Sequence, residues 1–155
     1  MYSTILALHS LVRWFVLAGL LFAIVKAYKG WISKTTFTSF DNAVRHWAAT
    51  IAHIQLMLGL CLYFTSPLVN YFLHHYKTAV HEREIRFFGM EHSIMMFIGI
   101  AVITVGSAKA KRKAADKDKF KTMAVWYTIA LLIILTSIPW GFSPLVSRPY
   151  FRPFY

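Results

Sequence analysis

A single cysteine, Cys61, leaves this chain no disulfide framework and no thiolate metal site; it reads as a small apolar packing residue. Carboxylates are also scarce, six Asp and Glu against seventeen Lys and Arg, and no strong cluster of them joins His74, His75 and His81. Those three histidines would hold an external metal only if they converged, and adjacent histidines do not share one helix face. Familiar catalytic signatures are missing as well. There is no glycine-rich phosphate loop and no nucleophile elbow, and His81-Glu82-Arg83-Glu84-Ile85 fails the His-Glu-x-x-His metalloprotease pattern at its last position. The first apolar run has no basic leader and no small-residue cleavage site, and it contains Arg13, so it is expected to stay as a helix.

Apolar surface is what the chain has in abundance. Hydrophobic residues make up 57% and aromatics 17% of the sequence, with a mean hydropathy of +0.51, far above a soluble domain of this size. Runs of about 20 apolar residues, the length of a membrane crossing, lie at roughly 4–25, 47–65, 87–107 and 123–140. They predict an all-α fold, a four-transmembrane-helix bundle that takes up residues 1–155 as one integral membrane domain.

The formal net charge of +11 suggests nucleic acid at first sight, but the charges sort by loop. Lys26, Lys29, Lys34 and Arg45 follow the first run, and Lys109, Lys111, Arg112, Lys113, Lys117, Lys119 and Lys121 follow the third. The other side has Lys77, Arg83, Arg86, Arg148 and Arg152, diluted by Glu82 and Glu84. Positive-inside bias then places both termini outside and both basic loops in the cytoplasm, with lipid headgroups as their partner and no nucleic acid. Asp41 or Asn42 is the expected N-cap of the second helix. Residues 68–86 alternate aromatic and charged side chains and predict a short surface helix, and the fourth helix is expected to begin near Met123. After Pro139-Trp140-Gly141 the tail, rich in proline, aromatics and arginine, reads as an extended segment at the headgroups.

The two halves echo each other. Leu8-His9-Ser10-Leu11 opens the first run and Glu91-His92-Ser93-Ile94 the third, and Lys-Ala follows seventeen residues after each histidine, at Lys26-Ala27 and Lys109-Ala110. Ser66-Pro67-Leu68-Val69 after the second run matches Ser143-Pro144-Leu145-Val146 after the fourth. Two tandem helix hairpins related by an axis along the membrane normal follow from this order. His9 and His92 would then face each other at equal depth, about 25 Å from their lysines and near the outer edge of the hydrocarbon.

Two facing imidazoles at that depth suit the axial positions of one haem iron, with His9 and His92 as metal ligands. Gly89, Gly99 and Gly106 lie three before, seven after and fourteen after His92, close to its face, where a flat macrocycle would approach the backbone. The alternative is that the glycines serve helix packing and the histidines hydrogen-bond across helices. Arg13, one turn deeper than His9, needs an anion, which a haem propionate or Glu91 would supply. His53 falls near mid-membrane and is a candidate contact for a quinone or a proton, or else a hydrogen bond to a neighbouring helix. The cofactor-binding candidates are thus His9, His92, Arg13, Glu91, Gly99 and His53.

Leu8-His9-Ser10-Leu11-Val12-Arg13-Trp14, Arg45-His46-Trp47 through Ala52-His53-Ile54-Gln55-Leu56, and Arg86-Phe87-Phe88-Gly89-Met90-Glu91-His92 resemble the small bacterial four-span membrane proteins labelled cytochrome-b-like, over the whole chain. That resemblance implies one b-type haem and a place in the bacterial inner membrane. His9 and the Gly59-Leu60 region are also similar to the HemJ-type protoporphyrinogen oxidases, but Ile94, Met95 and Met96 stand where that family has a lysine shortly after its third-span histidine. Three functions are therefore expected in turn: electron transfer or a small redox activity near the outer face, porphyrinogen oxidation, and a haem-free accessory or scaffold subunit. A redox partner protein, a quinone or a second copy of the chain would be the partners within the bilayer.

The charge distribution makes a direct prediction. Single cysteines placed in 73–84 or after Ser147 should react with an impermeant thiol reagent added to intact cells, and cysteines in 114–119 should not. The opposite pattern would reverse the orientation.

Overall fold

The computed structural model describes residues 1–143 and 146–152. In chain order the helices are α1 (Tyr2–Ser33), α2 (Ser39–Thr65), α3 (Pro67–His74), α4 (Tyr76–Ala79), α5 (Arg83–Arg86), α6 (His92–Arg112) and α7 (Asp116–Ser137). A π-helical turn, Phe87–Glu91, joins α5 to α6 without a break. Among the described residues there is no strand. Four helices are long and apolar enough to cross a membrane: α1, α2, the continuous stretch Arg83–Arg112, and α7.

Where α6 meets α7, both helices outrun their apolar stretches because the ends suit the helix dipole. Asp116 and Asp118 sit in the first turn of α7, where carboxylates are favoured, so the helix begins seven residues before Met123 and absorbs most of the lysine-rich loop. Lys109, Lys111 and Arg112 occupy the last turn of α6, where cations are favoured. The N-cap of α2 is Thr38, ahead of the expected Asp41 or Asn42. The Thr38 hydroxyl accepts from the Asp41 amide at 3.3 Å, and Asp41 Oδ2 accepts from the Thr38 amide at 3.0 Å, a reciprocal capping box. Residues 68–86 form three short helices in place of one; Val69, Phe72 and Ala79 are buried, whereas Tyr71 and Tyr76 face outward. The Ser-Pro exit of the first hairpin caps α3 through Ser66, while Pro144 and Leu145 of the matching exit lie outside the described residues.

Alanines line much of the interior beside buried Leu20, Ile103, Phe120 and Tyr127, and many large apolar side chains point out. Ala23, Ala27, Ala48, Ala52, Ala110, Ala124 and Ala130 are buried, and Phe15, Phe22, Met57, Phe64, Phe97 and Leu132 are each at least half exposed. Water would penalise that arrangement, but lipid tails accept the outer residues and the alanines let helices approach closely. Cys61 belongs to the outward set, not to the packed interior expected of it.

Helix α1 packs on α2 and α7, and α6 packs on the same two, so α1 and α6 stand on one diagonal of the bundle. This is the relation expected of two hairpins about a common axis. Packing is densest between α6 and α7 and thinnest between α2 and α6. The lysine-rich end is closed by polar contacts. Lys26 Nζ lies 3.1 Å from Asp41 Oδ1. Arg45, buried, donates to Asn42 Oδ1 at 2.9 Å and to the Ser107 carbonyl at 3.2 Å, and the Tyr127 hydroxyl donates to the Arg45 carbonyl at 2.8 Å.

The α6/α7 crossing depends on Gly106, whose missing side chain leaves room for Trp126 Cβ. Because Trp126 Cβ is fixed to the backbone, it cannot swing away from an added methyl group. Gly106→Ala should therefore cost about 1–3 kcal/mol, read as a lower thermal midpoint in detergent. An unchanged midpoint would show that this contact does not set the crossing.

Candidate functional site

At the end of the bundle where both termini lie, the diagonal brings His9 of α1 and His92 of α6 together, with ring centroids 6.5 Å apart and ring planes at 74°. The π-helical turn ends at Glu91, immediately before His92. One extra residue in that turn lets Phe87 and Gly89 pack inward, Gly89 against Phe72 of α3, while α6 keeps the register it needs against α7. Such turns recur at functional sites.

Each imidazole has a different second contact. His92 Nδ1 lies 2.8 Å from the Ser137 carbonyl of α7; a carbonyl can only accept, so Nδ1 carries the proton and Nε2 is left with its lone pair. The same division of labour is found in most metal-bound histidines. The His9 ring has no hydrogen-bond partner among the described residues, and its Nδ1 is buried. Gly59 of α2 faces it; a Cβ there would meet His9 Cε1 at 3.3 Å. One turn away on α2, Gln55 Nε2 donates to the His9 carbonyl at 2.9 Å.

Four buried side-chain polar atoms among the described residues lack a hydrogen-bond partner. One, Asp41 Oδ1, has the Lys26 ammonium beside it. The other three, His9 Nδ1, Arg13 Nε and Gln55 Oε1, all belong to residues gathered around His9. Leaving such groups unpaired costs about 1–3 kcal/mol each, so their concentration around His9 makes this the candidate site.

The C-terminal tail closes one side of this site. The Tyr150 carbonyl accepts from Arg13 Nη2 at 2.6 Å, Ser10 Oγ at 3.3 Å and Trp14 Nε1 at 3.3 Å, and Phe151 stacks on Trp14 at 5.7 Å. Glu91 is not Arg13's partner; it pairs with Arg86 Nε at 2.6 Å, five residues back across the π-helical turn. The Arg13–Glu91 pair anticipated from sequence is therefore replaced by two separate contacts. Gly99 also stands apart, since its missing side chain meets Ile134 of α7 at 3.0 Å and serves helix packing; Gly106 does likewise. His53 is at a different level, with Nε2 2.9 Å from Thr104 Oγ1 of α6. His74 and His75 each turn Nδ1 back to a carbonyl of their own helix, at 2.8 Å and 3.3 Å. Among the described residues no group of three or more His, Cys, Asp or Glu is poised for a metal ion.

Ser137 escapes a sequence reading because nothing in its local pattern distinguishes it, and Gln55 and Gly59 enter that reading only within stretches that resemble known families, with no contact assigned to them. Gln55 and Gly59, one helical turn apart on the apolar helix α2, are the only available hint of a face turned to something polar. Comparison with family models, curated proteins and solved structures finds no match to this chain.

The pairing of charges is testable by double-mutant cycles on thermal stability. Arg86→Gln and Glu91→Gln should couple, by about 0.2–1 kcal/mol for a half-exposed pair. Arg13→Gln and Glu91→Gln should be additive within about 0.5 kcal/mol. Strong coupling of Arg13 with Glu91 would restore the discarded ion pair.

Proposed function

We propose that the chain is a membrane b-type haem protein in which His9 and His92 would hold the haem iron and whose role is electron transfer or a small redox activity. The observation that carries this reading is the pair itself, two half-buried imidazoles facing across the bundle diagonal, one held by the Ser137 carbonyl and the other with no partner. The donor set fits. Imidazole nitrogens bind a metal at about 2.0–2.1 Å, and with ring centroids 6.5 Å apart both His9 and His92 would lie within reach of one iron. Among the described residues no third His, Cys, Asp or Glu joins the pair, so a metal that brings its remaining ligands in a macrocycle suits the site better than a bare ion.

When bound, haem supplies a one-electron couple at its iron. The residues of the chain do the rest. Ser137 fixes the His92 tautomer so that Nε2 is the donor, and Gly59 leaves the His9 ring space on the α2 side. Arg13, whose Nε is buried without a partner among the described residues, would compensate a propionate. The tail, with Trp14, Trp140 and Phe151, keeps water from that side. Access for a planar group lies along the α2/α6 seam, where packing is thinnest. By charge sorting the site would belong to the outer leaflet.

Purified in mild detergent from haem-replete cells, the protein should show a Soret band and a low-spin b-type spectrum on reduction, and His9→Ala or His92→Ala should each abolish it. Arg13→Gln should keep the spectrum but lower the midpoint potential by on the order of tens of millivolts, because loss of a nearby cation favours the oxidised iron. A colourless preparation would sink the haem reading and favour an accessory subunit.

A further inference from the structure

We infer that His53 and Thr104 form a separate intramembrane site for the head group of a lipid-soluble quinone and its hydroquinone, on the α2/α6 seam. His53 is exposed on the outside of the bundle at the middle of a membrane-crossing helix, eight residues or about 12 Å from Arg45. Its Nε2 is engaged by Thr104 Oγ1 at 2.9 Å, and that hydroxyl also lies 2.8 Å from the Ile100 carbonyl. No described residue hydrogen-bonds Nδ1. An exposed ring nitrogen in hydrocarbon has no water to turn to, so its partner must come from the lipid phase.

The Thr104 contact decides the chemistry of that partner. When Thr104 donates to the Ile100 carbonyl it can only accept from His53, so Nε2 carries the proton and Nδ1 presents a lone pair. When the hydroxyl turns to donate to Nε2, the neutral ring carries its proton on Nδ1 and presents a donor. The same nitrogen thus accepts from a hydroquinone hydroxyl in one tautomer and donates to a quinone carbonyl in the other. A ligand with a permanent donor or a permanent acceptor needs only one of these states; a quinone couple uses both. Beside His53 the seam offers Met57, 61% exposed, whose thioether suits an aromatic ring, and exposed Ala101, too small to block a flat head group. Gly59, which faces His9, is six residues or about 9 Å further along α2. Occupancy of the site stands on His53 and Thr104 alone; its use as electron donor or acceptor rests on the haem reading.

The test is photolabelling of the full-length protein in nanodiscs with a short-chain azidoquinone, mapped by mass spectrometry and competed with decylubiquinone or decylubiquinol. Label is expected in 50–60 or 97–105. His53→Leu should weaken competed labelling about tenfold, as for one hydrogen bond lost in a dry site, with the visible spectrum unchanged. Thr104→Val keeps the ring and the shape but removes the switch, and should alter the ratio of quinone to hydroquinone affinity; it also decides the matter should His53→Leu fail to fold. Labelling that ignores both substitutions, or that is absent while zero-length cross-links join two copies through this seam, would overturn the proposal. Specific label on a colourless protein would support the quinone site and sink only the haem.

Discussion

Hydrocarbon supplies no hydrogen bonds, and the whole molecule is arranged around that deficit. The backbone meets it by remaining helical from Tyr2 to Ser33 and from Ser39 to Thr65, and by passing from α5 into α6 through a π-helical turn without a break. The outer faces meet it with Phe, Leu and Met, while alanines draw the helices together inside. Whatever polar side chain is left inside must find a partner within the protein or from a ligand, which makes the state of each one informative.

The two ends of the bundle answer that requirement differently. At the lysine-rich end the buried polar groups hold helices together: Asp41 caps α2 and meets Lys26, Arg45 ties α2 to α6, and Tyr127 brings in α7. Such a network locks four helices at one level and leaves little to do chemistry with. At the terminus-bearing end the atoms without partners collect around His9, opposite an imidazole whose tautomer is already set. A fold that needed polar residues only as locks would not concentrate its unpaired donors and acceptors in one place.

The diagonal placement of the histidines also separates function from packing. Neighbouring helices are pressed together by glycine contacts such as Gly30 with Phe120 and Gly99 with Ile134, which leave no room between them. His9 and His92 reach in from helices on the diagonal, outside these glycine contacts. The tail carbonyl of Tyr150, gripped by three donors from α1, shows that this corner already handles an electron-rich oxygen.

Much of the architecture was legible in the chain by itself. Hydropathy determines four crossings because a helix must be apolar over the thickness of a bilayer, and the repeated His-Ser followed by Lys-Ala at a fixed spacing determines that His9 and His92 share one depth. Sequence could not decide what each polar residue would touch. Arg13 and Glu91 are each within reach of several partners by helical rise, and only the packed bundle assigns Arg13 to the tail and Glu91 to Arg86. Gly99 shares a face with His92, and both meet α7, but Gly99 lies two turns along α6 and packs on Ile134 where His92 meets the Ser137 carbonyl. Depth along a helix follows from counting residues; rotation about its axis, and therefore the identity of a side chain's partner, is settled by which neighbour packs where.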